Sequence, residues 1–154
     1  MSNNLIELAT RRLHAQGGRM TEQRRMILEA LDCLGCHPTA EQIFAVVSQR
    51  DPAINLSTVY RTLRWLEQEG LVSARRFDEK SRQERFDPAL PVEHHHFFCT
   101  GCETVIEFND PKLSQVRAQF ERQNGARVEA ISVTLQGLCA ECLKMLGKGK
   151  NALS

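Results

Sequence analysis

Residues 57–86 read Ser57-Thr-Val-Tyr-Arg-Thr-Leu-Arg-Trp-Leu-Glu-Gln-Glu-Gly70-Leu-Val-Ser-Ala-Arg-Arg-Phe77-Asp-Glu-Lys-Ser81-Arg-Gln-Glu-Arg-Phe86, and the hydrophobic period changes within them. Val59, Leu63, Trp65 and Leu66 recur at helical spacing behind Ser57, a residue type that caps helices, and Gly70 stops the run. Leu71 to Phe77 then reads as a strand, Asp78 to Ser81 as a turn, and Arg82 to Phe86 as a returning strand. A helix running into a two-stranded hairpin is the closing half of a winged helix-turn-helix.

Three more helical segments precede it. Leu5, Leu8, Ala9 and Leu13 mark the first, which Gly17-Gly18 ends. Thr21 is a good N-cap for the second, whose Met26, Ile27, Ala30, Leu31 and Leu34 share one face. Thr39 with Gln42 three residues on forms a capping-box pattern ahead of Ile43, Phe44, Val46 and Val47. Beyond the hairpin, the prolines of Asp87-Pro88-Ala89-Leu90-Pro91 read as a stiff hinge. Thr104 to Phe108 reads as a strand, Pro111 to Gln123 as a helix with Leu113, Val116 and Phe120 on one side, and Arg127 to Leu135 as a strand. The tail after Met145 reads as frayed. The expected class is α+β: a winged-helix domain over 1–86, a hinge over 87–93, a small α/β unit over 94–146 and a tail over 147–154.

That second unit has too little apolar sequence to be comfortable alone. Cys99-Thr-Gly-Cys102 and Cys139-Ala-Glu-Cys142 supply a remedy: two C-x-x-C turns separated by 36 residues. Each turn brings two thiolates onto one tetrahedral edge, and the pair completes a four-thiolate site suited to structural zinc. Such a closed site leaves no open position for catalysis. Cys33-Leu-Gly-Cys36-His37 stays open to three readings: packing or surface thiols, a redox or accessory metal role, and c-type haem attachment. His94-His95-His96 lies just ahead of the first C-x-x-C turn; on an extended strand His94 and His96 share a face and can chelate one ion, while His95 points away. A solvated histidine patch is the alternative.

Composition narrows the classes. Among 154 residues no stretch approaches the roughly 18–20 apolar residues of a membrane span, and Met1-Ser-Asn-Asn-Leu-Ile-Glu shows no secretory pattern, so a cytoplasmic location is expected. A reducing compartment favours metal or redox chemistry for paired cysteines. Residues 1–90 carry 13 Lys+Arg against 12 Asp+Glu and residues 91–154 carry 7 against 7, so nucleic-acid binding has to rest on locally placed arginines.

The layout, the run His37-Pro-Thr-Ala-Glu41, the segment Ser57 to Leu63, the histidines three and five residues before Cys99, and the C-x-x-C turn followed by Val105-Ile-Glu-Phe108 together resemble the ferric-uptake-regulator family over about residues 5–145. The resemblance implies a homodimer built on the C-terminal unit, a double-stranded DNA operator, A/T-rich and palindromic, and a regulatory metal at the hinge. The family's hinge ligands fall on His37, Asp87, His94, His96 and Glu107. Three imidazoles and two carboxylates suit Fe(II), Mn(II), Zn(II) or Ni(II) over a thiophilic ion; the expected function is repression governed by Fe(II) or Mn(II), with Zn(II) the further candidate.

A further metal site found in many relatives would fall on Glu93, His95, Ser114 and Ile131, where serine and isoleucine cannot supply the carboxylate and imidazole. Asp87 matches peroxide-sensing members, whereas Glu107 departs from their usual Asp; zinc-uptake regulators often carry a hinge cysteine, from which Asp87 also departs. The fourth helix is expected in the major groove, with Ser57, Thr58, Tyr60, Arg61 and Arg64 as its exposed polar residues. Arg61 has reach to phosphate or guanine, and Tyr60 to a thymine methyl. Arg19 matches a position that the family inserts into the minor groove, while Arg24, Arg25, Arg75 and Arg76 are phosphate candidates. The competing classes are a zinc-stapled protein-interaction module and a thiol oxidoreductase using Cys33 and Cys36; no nucleophile–base pair accompanies them, so an enzyme is not expected.

Overall fold

A computed structural model describes residues 2–35, 37–78, 83–88 and 94–150. Cys36, residues 79–81 of the expected turn, Arg82 at the start of the expected returning strand, hinge residues 89–93 (Glu93 among them) and the last four residues lie outside the described residues. The chain divides into two compact units, Met1–Leu90 and Pro91–Ser154.

The first unit contains α1 (Ser2–Ala15), α2 (Glu22–Leu34), α3 (Ala40–Arg50), α4 (Leu56–Gln68), β1 (Val72–Arg75) and β2 (Arg85–Pro88). Both expected caps form: Thr21 accepts from the Arg24 amide at 3.3 Å, and Thr39 and Gln42 exchange side-chain and backbone hydrogen bonds in a complete capping box. The cap of α4 is different. Asn55, not Ser57, holds that position, accepting from the Thr58 amide at 2.9 Å, and Ser57 sits inside the first turn with its hydroxyl donating to Asn55. Burial explains the shift. Ile54 and Val59 occupy the two positions of a hydrophobic staple around Asn55, and both are buried in the core, which draws the chain into the helix two residues early. Asn55→Ala should therefore cost about 1 kcal/mol in chemical denaturation, and Ser57→Ala clearly less.

Ile27, Leu28, Leu31, Ile43, Val47, Leu63, Leu66 and Phe86 fill the centre of this unit, so α2 is packed against α3, α4 and β2. The hairpin pairs antiparallel, with Ser73 opposite Asp87 and Ala74 opposite Phe86. Its second strand lies later than Arg82–Phe86 because it is held on both sides. The Phe86 amide donates to Pro38 O at 2.9 Å, and Arg85 bridges to Thr39, while β1 pairs along the other edge. Asp87 and Pro88 consequently lie within β2.

The second unit contains β3 (His95–Cys99), β4 (Val105–Phe108), α5 (Pro111–Asn124), β5 (Thr134–Gly137) and α6 (Ala140–Lys150). Strand order is β4-β3-β5, antiparallel between β3 and β4 and parallel between β3 and β5. The strand expected over 127–135 is confined to Thr134–Gly137, where β3 offers a parallel register from His96 to Cys99, and 126–133 has no regular secondary structure. Helix α5 forms behind the N-cap Asp110 with Pro111 in its first turn, but Val116 and Phe120 are exposed and none of its residues is buried. The tail read as frayed after Met145 is helical to Lys150. No helix of the described residues is long and apolar enough to cross a membrane.

Candidate functional site

The four cysteines of the C-x-x-C turns converge at one end of the second sheet. Cys99 ends β3, and the Thr100 amide donates to Gly137 O at 2.8 Å, so the first turn lies beside the end of β5 and the start of α6. Cys99 Sγ is 3.7 Å from Cys142 Sγ, Cys102 Sγ is 3.7 Å from Cys139 Sγ, and all four sulfurs lie within 4.8 Å of one another. A tetrahedron with Zn–S bonds of about 2.3 Å has S···S edges of about 3.8 Å. The spacing fits zinc and is far from the roughly 2.05 Å of a disulfide.

Electrostatics agree with that fit. The Cys139 amide, donating to Cys99 Sγ at 3.2 Å, is the main cause that lowers the Cys99 thiol to about 6. Thr104 lowers Cys102 through hydrogen bonds to its sulfur. Cys142 is pushed up to about 12, chiefly by Cys102 and then by Cys139 and Cys99. Four thiolates this close cannot all carry charge unaided, and a dication is what removes the conflict. Gly101 completes the turn by leaving room: a Cβ there would stand 3.0 Å from Cys142 Sγ and 3.0 Å from Leu138 Cδ2. Gly101→Ala should displace Cys142 and speed zinc loss to a competing chelator by roughly tenfold or more, followed with a colorimetric zinc indicator.

Nitrogen and oxygen donors gather in each unit separately. In the first, the side chains of His37 and Asp87 are almost wholly buried, with His37 Nε2 3.4 Å from Asp87 Oδ2. His37 does not begin α3; it stands ahead of the Thr39 cap in the left-handed region at φ 59°, a conformation that strains a residue with a Cβ unless its surroundings hold it. Here Arg85 donates to the His37 carbonyl at 3.3 Å and Phe77 packs edge-on against the ring at 5.5 Å. In the second unit, the His94 and His96 rings lie 4.9 Å apart, and Glu107 is directly opposite His96 across the β3–β4 pair. His95 takes the other face, tilted against Phe108 at 5.6 Å.

The first unit also carries a basic groove. Thr21, Gln23 and Arg24 of α2 and its cap face Thr58, Arg61, Thr62 and Trp65 of α4 across about 420 Å³, with the Arg24 guanidinium 6.0 Å over the Trp65 ring. Arg19, Arg25, Ser57 and Arg61 are at the surface, and Thr58 and Tyr60 are partly exposed. Arg64, expected to be an exposed reader, is instead paired with Glu67 at 2.8 Å and with Glu84, and Arg76 also pairs with Glu84 at 3.0 Å. Arg64 thereby ties the hairpin to α4, while Arg76 pairs with Glu84 across the hairpin itself.

Comparison with known proteins matches residues 15–136 to the model of the ferric uptake regulator family. The chain belongs to that family. It is 31% identical over 144 residues to the peroxide operon regulator of Bacillus subtilis (strain 168), covering 94% of this chain and 97% of that protein. It is 35% identical over 140 residues to a ferric uptake regulation protein of Rhizobium leguminosarum bv. viciae, covering 90% and 93%. The structure of the ferric uptake regulator of Helicobacter pylori, described as having three functional metal-binding sites, superposes with a TM-score of 0.83 at 26% identity, covering 93% of this chain and 94% of that one. The chain is accordingly a metal-responsive regulator of the ferric uptake regulator family. The groove partners Thr21, Gln23 and Trp65 have no signature in the sequence, because α2 and α4 meet only in the fold.

Proposed function

We propose that this regulator is a cytoplasmic, homodimeric repressor that grips an A/T-rich palindromic operator when Fe(II) or Mn(II) is held by His37, Asp87, His94, His96 and Glu107. Zinc on Cys99, Cys102, Cys139 and Cys142 serves structure alone, and the chain is not an enzyme. The carrying observation is that each unit holds an incomplete set of hard and borderline donors. His37 and Asp87 in one, and His94, His96 and Glu107 in the other, each fall short of the five or six ligands such ions take, and together they reach five. The domain division itself, winged helix over 1–86, hinge over 87–93 and dimerisation unit over 94–146, belongs to the same proposal.

Bound there, a dication supplies the attraction that joins the two donor sets, and it biases the chain toward whichever arrangement of the units brings them together. The chain's own residues do the rest. Arg85 fixes the His37 backbone while Phe77 packs against its ring, and the β3–β4 register aligns Glu107 with His96. Arg61, Ser57, Thr58 and Tyr60 of α4 read base edges, and Arg19 enters the minor groove. Homodimerisation is supported by a row of apolar residues across the second sheet. Ile106, Phe97 and Leu135 are neighbours in register, and Ile106 and Leu135 are exposed, as are Val116 and Phe120 of α5.

The test is retardation of a duplex selected from a random-sequence library, under buffered Fe(II), Mn(II), Zn(II) and Ni(II) without oxygen. Tight binding under Fe(II) or Mn(II) alone is expected. Equal binding with no added ion, by protein still holding its thiolate-bound zinc, would overturn the proposal. Asp87 and the Bacillus relative favour one second reading, a peroxide-responsive regulator; irreversible loss of Fe(II)-dependent retardation on adding peroxide selects it.

A further inference from the structure

Tyr60 does not simply project from the recognition helix. Its hydroxyl donates to Glu41 Oε1 at 2.8 Å, from the first turn of α3. Glu41 lies in the first turn of α3, two residues behind the Thr39 cap. Thr39 in turn accepts from the Gln42 amide at 3.2 Å and gives its own amide to Gln42 Oε1 at 2.9 Å. On its other side Thr39 bridges to Arg85, the residue that donates to the His37 carbonyl, and Pro38 O accepts from the Phe86 amide. The Tyr60–Glu41 bond and the capping box at the head of α3 thus tie the recognition helix to the His37–Thr39 segment within one unit.

We propose that Glu41 is a positioning residue, which fixes the Tyr60 ring for base contact and ties the recognition helix to the His37–Thr39 segment. This rests on the reading of Tyr60 as a base-contacting residue. A carboxylate suits this role: ionised, it accepts the phenolic hydroxyl in a charge-assisted bond roughly twice as strong as the neutral bond an amide oxygen would make. Burial pushes the Glu41 carboxyl up, yet its own backbone amide and the Tyr60 and Thr39 hydroxyls favour the charged form and hold it below the usual carboxylate range; the contact with Glu41, with burial and the nearby Glu84, holds the Tyr60 phenol up against the opposing pull of Arg64. With the hydroxyl engaged by an ionised Glu41, the tyrosine ring is the surface offered to DNA. That suits a thymine methyl.

The sign of the effect separates positioning from charge. Glu41→Gln removes a negative charge beside the DNA-facing surface, so binding to a scrambled duplex should stay equal or tighten. Binding to the library-selected duplex should weaken about tenfold at saturating Mn(II). Tyr60→Phe should weaken it similarly, and the double variant should be no worse than either single one. Glu41→Asp, one methylene short of Tyr60, should behave as Glu41→Gln does.

A second readout needs no DNA. Tyr60 is the only tyrosine of the chain, so the near-ultraviolet difference spectrum of Glu41→Gln against the parent at neutral pH reports loss of its carboxylate bond, as a blue shift. Selected-duplex affinity within twofold of the parent overturns the proposal. So do additive losses in the double variant, which mean a direct hydroxyl–DNA contact, and an unchanged tyrosine spectrum. Failure of the parent to respond to Mn(II) would sink the metal-sensing reading instead; the spectrum and the additivity then decide the role of Glu41 by themselves.

Discussion

A Cys102→Ser variant is expected to lose the fold of residues 94–150 while the first unit stays folded. The second unit has little else to hold it: among its described residues only Phe98, Cys99 and Val105 are buried apolar residues, and α5 buries none. The first unit buries Ile27, Leu28, Leu31, Ile43, Val47, Leu63, Leu66 and Phe86 and needs no metal to do so. Zinc binding to thiolate sites of this kind contributes on the order of 10 kcal/mol, more than the whole net stability of many domains of this size. Limited proteolysis should cut first within 94–150, zinc content should fall toward zero, and the dimer should dissociate. A strong chelator should do the same to the parent. A zinc-free variant that still resists protease over 94–150 would show that apolar packing suffices, and the role assigned to the four thiolates would be wrong.

The second large effect separates reading from sensing. Arg61→Ala should lower affinity for the selected duplex by about 1–3 kcal/mol, roughly 5- to 150-fold, at every metal concentration. Its zinc content and its uptake of Mn(II) should match the parent. His94→Ala should do the opposite. Removing a direct ligand costs at least as much as removing an outer support, which is typically about 10–100-fold in metal affinity. The Mn(II) needed for half-maximal retardation should therefore rise by at least about tenfold, with full binding recovered at saturation. His94 is the better choice for this variant because it is half-buried, whereas His96 is fully buried and its truncation would also leave a cavity. If both variants respond alike to added metal, base contact and metal binding do not reside in separate residues.

Much of this was local in origin and therefore legible. The caps Thr21 and Thr39, the hairpin after Gly70, the proline-led α5 and the two C-x-x-C turns each depend on side chains a few residues apart. The pairing of His94 with His96 followed from strand alternation alone. Other features had no local signal. The end of α6, after Met145, carries two glycines and reads as a frayed tail, yet the first turn of that helix is organised by the Cys139 amide on Cys99, from 40 residues away. The choice of Asn55 over Ser57 as a cap depends on where Ile54 is buried.

What the amino-acid order determined, then, is the identity of the elements and of the donor atoms. Capping, periodicity and thiolate spacing act over one or two turns of chain, within reach of a residue's own neighbours. The tertiary structure decided conformation and partnership: His37 in the left-handed region under Arg85, Arg64 paired with Glu84, Tyr60 tethered to Glu41, and the apolar side of α5 exposed within the chain. Each of these joins residues at least 19 positions apart or depends on what covers a face. Such pairings are selected by packing across the whole unit, which no short window of sequence contains.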